Sequence, residues 1–245
     1  IDACLVGSEM CIRDSFDVVH LHDILPILIR RSLKRAKKLK IPVVTTFHND
    51  YIKTGVISKS FKALRWVVQG RRTLNTSDAR IALTPYYANH LKQRGVNDPI
   101  DILPNGFEPV AEDPVRPGLL PSDADQHPIM VFVGRLSEQK GLDVLMDAWD
   151  KYCATGPANA RLAIAGSGEL NEWLDQRIAN AKQPDSIHKL ARVEDSEKRW
   201  LFENAKAVLL PSRFEGLPTV LLEAMNAGAP TVMSDVNDLG RLVTE

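Results

Sequence analysis

The stretch IMVFVGRLSEQKGLDVLMDAWDKYC, residues 129–153, decides the fold. Its first five residues are apolar and partly β-branched, as a strand buried on both faces requires. The glycine-bounded loop GRLSEQKG follows. Leu142, Leu145, Met146, Trp149 and Cys153 then recur at three- and four-residue spacing, the stripe of a helix packed on one side. Strand, short loop and helix make the first part of a parallel crossover. The unit repeats in both directions. Downstream, strands are expected over 161–165, 187–190, 207–210 and 230–233, and a helix opening near Thr219 is closed by Gly228 and Pro230. Upstream, strands are expected over 16–20, 43–47, 79–83 and 100–103. A basic helix there carries Leu25, Ile29, Leu33 and Ala36, a polar helix covers 59–73, and another opens at Pro85. Two runs of alternation predict two doubly wound α/β units with parallel sheets, at 16–108 and 129–245. Five of the 15 prolines fall within 109–128, which reads as a linker or a hinge-side loop.

The 245 residues are 44% hydrophobic and 25% charged, which excludes collagen-like, coiled-coil and largely disordered chains. No apolar run reaches the roughly 18 residues of a membrane span. Cys4, Cys11 and Cys153 are an odd set without a Cys-x-x-Cys pair, so a reducing compartment is expected and a disulfide framework is not. The zero net charge divides unevenly. Residues 1–104 hold 17 Lys/Arg against 9 Asp/Glu, and residues 105–245 hold 14 against 22. The whole chain lacks the broad basic surface of a nucleic-acid binder. Residues 1–15 show no strand or helix period and no signal-peptide pattern, and are expected to be a non-native or irregular terminus. The last residues stop where a helix begins, so the chain reads as a fragment.

In doubly wound sheets ligands bind beyond the carboxyl ends of the strands, so the following loops hold the candidate residues. Gly134-Arg135-Leu136-Ser137-Glu138-Gln139-Lys140-Gly141 leads into a helix whose positive end favours phosphate. Arg135 offers a planar fork and Lys140 a point charge, suited to a diphosphate or equally to a solvated turn. In Pro211-Ser212-Arg213-Phe214-Glu215-Gly216-Leu217-Pro218-Thr219 the acid Glu215 sits in a strand-to-helix loop, and Glu223 lies a turn into the helix. Either acid could accept hydrogen bonds from a ribose diol, or Glu223 could simply offset the helix dipole. Gly166-Ser167-Gly168 follows the second strand of its half and has Asn171 where a dinucleotide fingerprint has its third glycine. Bare backbone there would let a base or sugar lie close. His20, His22 and His48 sit near strand ends and could hold a metal or serve as hydrogen-bonding loop residues. Residues 30–40, RRSLKRAKKLK, hold seven bases and no acid. With Leu25, Ile29 and Leu33 they read as a solvated face or as a contact for anionic lipid.

Taken together, Gly134-Arg135 with Lys140-Gly141, Gly166-Ser167-Gly168, the Pro211–Pro218 loop, Glu223-Ala224-Met225 and Gly228-Ala229-Pro230 resemble the donor domain of retaining family 4 glycosyltransferases. Glu215 and Glu223 match that family's E-x7-E motif. Asp17-Val18-Val19-His20-Leu21-His22, Thr46-Phe47-His48 and Pro104-Asn105-Gly106-Phe107-Glu108 resemble its acceptor domain and the exit from it. The resemblance covers about residues 16–243. It implies the GT-B fold, two Rossmann-like domains with the N-terminal one incomplete, and a metal-independent hexosyltransferase without a cofactor. It further implies a nucleoside-diphosphate sugar as donor. Arg135 and Lys140 would hold the diphosphate. Glu223 would hold the ribose, and Glu215 with the backbone of Gly216, Leu217, Pro218 and Thr219 the transferred sugar. Gly134, Gly166 and Gly168 would line the donor site, and His48 would sit beside sugar and acceptor. Where the family has G-G-x-x-E, this chain reads Asn237-Asp238-Leu239-Gly240-Arg241, so that segment's contacts are not carried over.

The expected activity is transfer to an acceptor hydroxyl on a lipid, polysaccharide or small molecule, in the cytoplasm. Cell-envelope or polysaccharide biosynthesis is the expected setting, with peripheral contact at the inner face of the membrane through residues 25–40. The alternatives are a nucleotide-sugar-binding module without transfer, a metal-dependent hydrolase using His20, His22 and His48, and a nicotinamide dehydrogenase.

Overall fold

The computed structural model describes residues 16–22, 26–48, 66, 70–155 and 159–244. Residues 1–15, Leu25 and, of the helix expected over 59–73, all but Trp66 and residues 70–73 lie outside them. The chain forms two compact units, Ile1–Asn105 and Gly106–Glu245.

In the first unit β1 (Val19–His22), β2 (Val43–Phe47), β3 (Ala79–Ala82) and β4 (Asp101–Ile102) pair in parallel in the order β1-β2-β3-β4. Helix α1 (Pro26–Lys38) turns Ile29, Leu33 and Ala36 onto Leu21, Ile41 and Val43. Ile29 and Leu33 of the stripe read as a lipid-contacting face therefore pack on the core, because the bare sheet supplies the nearest apolar surface. Among the described side chains of α1, Arg30, Arg31, Lys34, Arg35, Lys37 and Lys38 stay in solvent. Helix α2 (Arg71–Thr76) precedes β3. Helix α3 (Pro85–Gln93) has proline in its first turn, and the Thr84 hydroxyl accepts from Tyr87 N at 3.3 Å.

The second unit contains β5 (Ile129–Val133), α4 (Leu142–Thr155), β6 (Arg161–Ala165), α5 (Asn171–Ala179), β7 (Ile187–Leu190), α6 (Asp195–Glu203), β8 (Ala205–Leu210), α7 (Thr219–Asn226), β9 (Thr231–Met233) and α8 (Leu239–Thr244). Its five parallel strands run β7-β6-β5-β8-β9, the reversal beside β5 that marks a doubly wound sheet. Alternate residues feed opposite faces. Phe132, Leu162 and Ile164 meet Leu142, Met146, Trp149 and Leu174 on one side. Val131, Ala163, Ala165 and Val208 meet Leu201, Phe202, Leu221 and Ala224 on the other.

Two features differ from the sequence reading. The proline-rich segment lies on the second unit. Leu120 and Ala124 join its core, Val115 N donates to Ser196 O, and Arg199 donates to the carbonyls of Val110 and Glu112. Helix α6 has no long apolar stripe to announce it. It is opened by reciprocal capping between Glu194 and Glu197 and anchored by Leu201 and Phe202. Among the described residues no helix is long and apolar enough to cross a membrane.

Candidate functional site

The loops after β5, β6 and β8 touch at the backbone. Gly134 N donates to Ala165 O and Leu136 N to Ser167 O, at 3.0 and 2.9 Å. A Cβ on Gly166, whose φ is +145°, would lie 1.9 Å from Gly134 O, and one on Gly168 would lie 2.3 Å from Leu136 O. The Gly-Ser-Gly sequence thus lets the neighbouring loop approach, a need that exists without any base or sugar. Gly141, at φ +65°, stands against Pro211 in the same way, with its Cβ position 2.1 Å from Pro211 O.

This packing brings Lys140 to Glu215, 75 residues away in sequence. Lys140 Nζ donates to Glu215 Oε1 at 2.5 Å, and the side chains are only 20% and 10% exposed. Arg213 ties the two loops together. Its backbone N donates to Gln139 O at 2.8 Å, and its guanidinium donates to Glu138 O at 2.7 Å and to Asp143 Oδ2 at 2.5 Å. Gln139 Nε2 returns a bond to Phe214 O at 3.0 Å. The Arg213 hydrogen bond holds the Asp143 carboxyl below its usual pKa despite partial burial. Asn237 Nδ2 donates to Glu215 O at 2.6 Å, fixing the acid's main chain.

The other expected residues divide. The Arg135 side chain is exposed, and no hydrogen bond or ion pair joins it to a described residue. Glu223, on α7, meets Lys198 of α6 at 2.9 Å rather than Lys140. The amino end of α7 carries no side-chain cap, so its positive end faces the loop of Gly216, Leu217 and Pro218. Sequence reading missed Lys198 and the clamp made by Arg213. Nothing in a single chain pairs position 198 with 223, whereas Arg213 at least lies inside the quoted loop.

His48 belongs to the first unit, at the carboxyl end of β2. His22 Nδ1 and His48 Nε2 share a hydrogen bond of 2.8 Å, and His20 Nε2 bonds Thr46 Oγ1 at 2.7 Å. Burial, then the neighbouring His22 and His48, lower the pKa of His20. His22 and His48 hydrogen-bond to each other and His20 to Thr46, and no described group of three or more His, Cys, Asp or Glu is placed to hold a metal.

Residues 122–245 match the family model "Glycosyl transferases group 1", and residues 8–110 match "Glycosyltransferase Family 4". The chain belongs to the group 1 glycosyl transferases, of the family 4 type. The uncharacterized glycosyltransferase MJ1607 of Methanocaldococcus jannaschii is 27% identical over 217 residues, covering 82% of this chain and 53% of that protein. Glycogen synthase of Thermus thermophilus is 33% identical over 100 residues, 41% of this chain and 21% of its own length. Thus the chain spans about half the length of the first of these relatives. Anabaena Alr3699/HepE in complex with UDP-glucose has a TM-score of 0.72 at 18% identity, over 94% of this chain and 62% of that one. Sucrose-phosphate synthase from Thermosynechococcus elongatus has a TM-score of 0.69 at 18% identity, over 90% and 56%. The fold of this chain is α/β of the GT-B type, built on parallel sheets.

Proposed function

We propose that this chain carries the donor site of a retaining glycosyltransferase that moves a hexose from a nucleoside-diphosphate sugar to an acceptor hydroxyl. The observation that carries the reading is the shielded Lys140–Glu215 contact, formed where the loops of adjacent strands β5 and β8 meet. Structural neighbours solved with UDP and with UDP-glucose support a nucleoside diphosphate as the leaving group.

In this reading the diphosphate lies against Lys140 and the open amino end of α7, with Arg135 closing over it. As the anomeric C–O bond breaks, negative charge grows on the departing phosphate oxygen. Preorganised cations and helix amides stabilise that charge without reorganising. The acceptor oxygen attacks the anomeric carbon from the face the diphosphate leaves, and its proton passes to the departing phosphate oxygen. No carboxylate is consumed as a nucleophile, and no metal ion is invoked, because the two cations meet the diphosphate charge. Glu215 accepts from hydroxyls of the transferred sugar, and Glu223 accepts from the ribose. The exposed Arg30, Arg31, Lys34, Arg35 and Lys38 of α1 add an electrostatic contact with anionic lipid at the inner face of a membrane.

The test is calorimetric titration of UDP, GDP and ADP, followed by transfer assays with the matching sugar donors and by NMR of the product's anomeric configuration. One diphosphate should bind, Arg135→Ala with Lys140→Ala should abolish binding, and the configuration should be retained. Glu215→Ala should lose transfer while keeping nucleotide affinity. Binding without any transfer would favour a nucleotide-sugar-binding module, and inverted product would overturn the mechanism.

A further inference from the structure

Glu223 is held by a residue of another helix. Lys198, in the first turn of α6, donates from Nζ to Glu223 Oε1 and to Asp195 Oδ1, each at 2.9 Å. The lysine is 18% exposed and Glu223 24%, whereas Asp195 is 72% exposed. The ammonium is thus shielded between an acid in solvent and a more buried acid in the second turn of α7. Burial alone would lower the Lys198 pKa, but the hydrogen bonds to Asp195 and Glu223 outweigh it and raise it, so the side chain stays charged at neutral pH.

An ionised carboxylate is acceptor-only, with about four lone-pair sites on two oxygens. With one site on Oε1 taken, Glu223 presents a defined remainder. The bond also removes rotamer freedom that an untethered glutamate would lose on binding, a cost charged directly to affinity. A vicinal diol suits such an acceptor, because it offers two O–H donors on adjacent carbons.

We propose that Lys198 is a positioning residue that orients Glu223 toward the vicinal hydroxyls of a ribonucleoside diphosphate and thereby makes the site select ribose over sugars lacking those hydroxyls. This rests on the reading of Glu223 as the ribose acceptor. A residue that merely ties α6 to α7 would contribute to stability but would not discriminate between nucleotides that differ only in the diol.

The experiment is calorimetric titration of UDP, GDP and ADP, each beside its 2′,3′-dideoxy form, into the wild-type chain, Lys198→Met, Lys198→Arg, Glu223→Gln and the Lys198→Met/Glu223→Gln double variant. For the diphosphate that binds, the wild type should favour the ribose form by about 10- to 100-fold, the worth of hydrogen bonds to a charged group. Lys198→Met should cut that ratio to roughly threefold or less while leaving dideoxy affinity close to wild type, since positioning acts only through the diol. Lys198→Arg should restore most of the ratio, and the double variant should fall no lower than Glu223→Gln. Should Lys198→Met fail to fold, Lys198→Gln supplies the same reading. An unchanged ratio in the Lys198 variant, or equal weakening of both nucleotide forms, overturns the positioning role and leaves the donor site standing. A wild type that binds none of the three diphosphates overturns both.

Discussion

Replacing Lys140 by methionine keeps most of the apolar stem and removes only the ammonium, so it isolates what the charge does. Losing one partner of a fully buried pair costs about 3–5 kcal/mol, whereas an exposed pair is worth about 0–1 kcal/mol. The Lys140 and Glu215 side chains are 20% and 10% exposed, which places them nearer the buried case. Glu215 can still turn its carboxylate toward water, so a loss of about 2 kcal/mol is expected, or roughly 6 °C in melting temperature at about 3 °C per kcal/mol. Adding Glu215→Gln removes the stranded charge and should recover about half of that loss. Affinity should behave differently. Both Lys140→Met and the double variant should bind the nucleoside diphosphate about 10- to 100-fold more weakly, because the cation proposed to meet the phosphate is gone in each. Thermal and denaturant unfolding read the first quantity, and calorimetry reads the second. A Lys140→Met protein that melts with the wild type and binds with unchanged affinity would refute the reasoning. So would a double variant that recovers affinity along with stability.

Gly166→Ala should be severe, because its Cβ would meet Gly134 O at 1.9 Å; Gly228→Ala, at φ +68° with open space around it, should cost only about 1 kcal/mol by denaturant unfolding. Arg213→Met should cost about 1 kcal/mol, given the partial exposure of its contacts, while weakening donor binding through the loosened loops, and NMR titration should show Asp143 returning upward toward its ordinary pKa. His188 is kept neutral by burial and then by Arg161, and His20 by burial and then by His22 and His48, so both have folded pKa values below 6.5. The unfolded chain therefore binds more protons below that value, and the melting temperature should fall as pH drops from 7 toward 5, less so in His188→Gln; a flat or rising profile contradicts this. Co-sedimentation with anionic vesicles should decline as salt rises and when Arg30, Arg31 and Lys34 are neutralised, and salt-insensitive binding would count against an electrostatic contact.

Periodicity carried most of the fold. Residues 129–133 and the Leu142–Trp149 stripe gave β5 and α4 at once, because a strand buried on both faces followed by an amphipathic helix has few other readings. What periodicity lacks is the identity of the partner surface. Ile29 and Leu33 formed an apolar stripe equally suited to lipid or to a sheet, and β1 and β2 claimed it. Proline content suggested a linker or a hinge-side loop at 109–128, and Leu120 and Ala124 of that segment bury themselves in the second core, which composition alone does not convey. The site was legible in parts. Lys140, Glu215 and Glu223 were visible as loop and helix residues of the right chemistry. That Lys140 meets Glu215 depends on β5 lying beside β8, and that Glu223 meets Lys198 depends on α6 packing on α7; both are long-range facts. The glycines of Gly166-Ser167-Gly168 were visible too, but the carbonyls of Gly134 and Leu136 that already require them were not.

The most direct test of the donor site is a crystal structure of this chain with the tightest-binding of UDP, GDP and ADP. The diphosphate is predicted between Arg135 and Lys140 at the amino end of α7, with the ribose hydroxyls on Glu223. A nucleotide seated elsewhere, with the Lys140–Glu215 pair and Glu223 untouched, would contradict it.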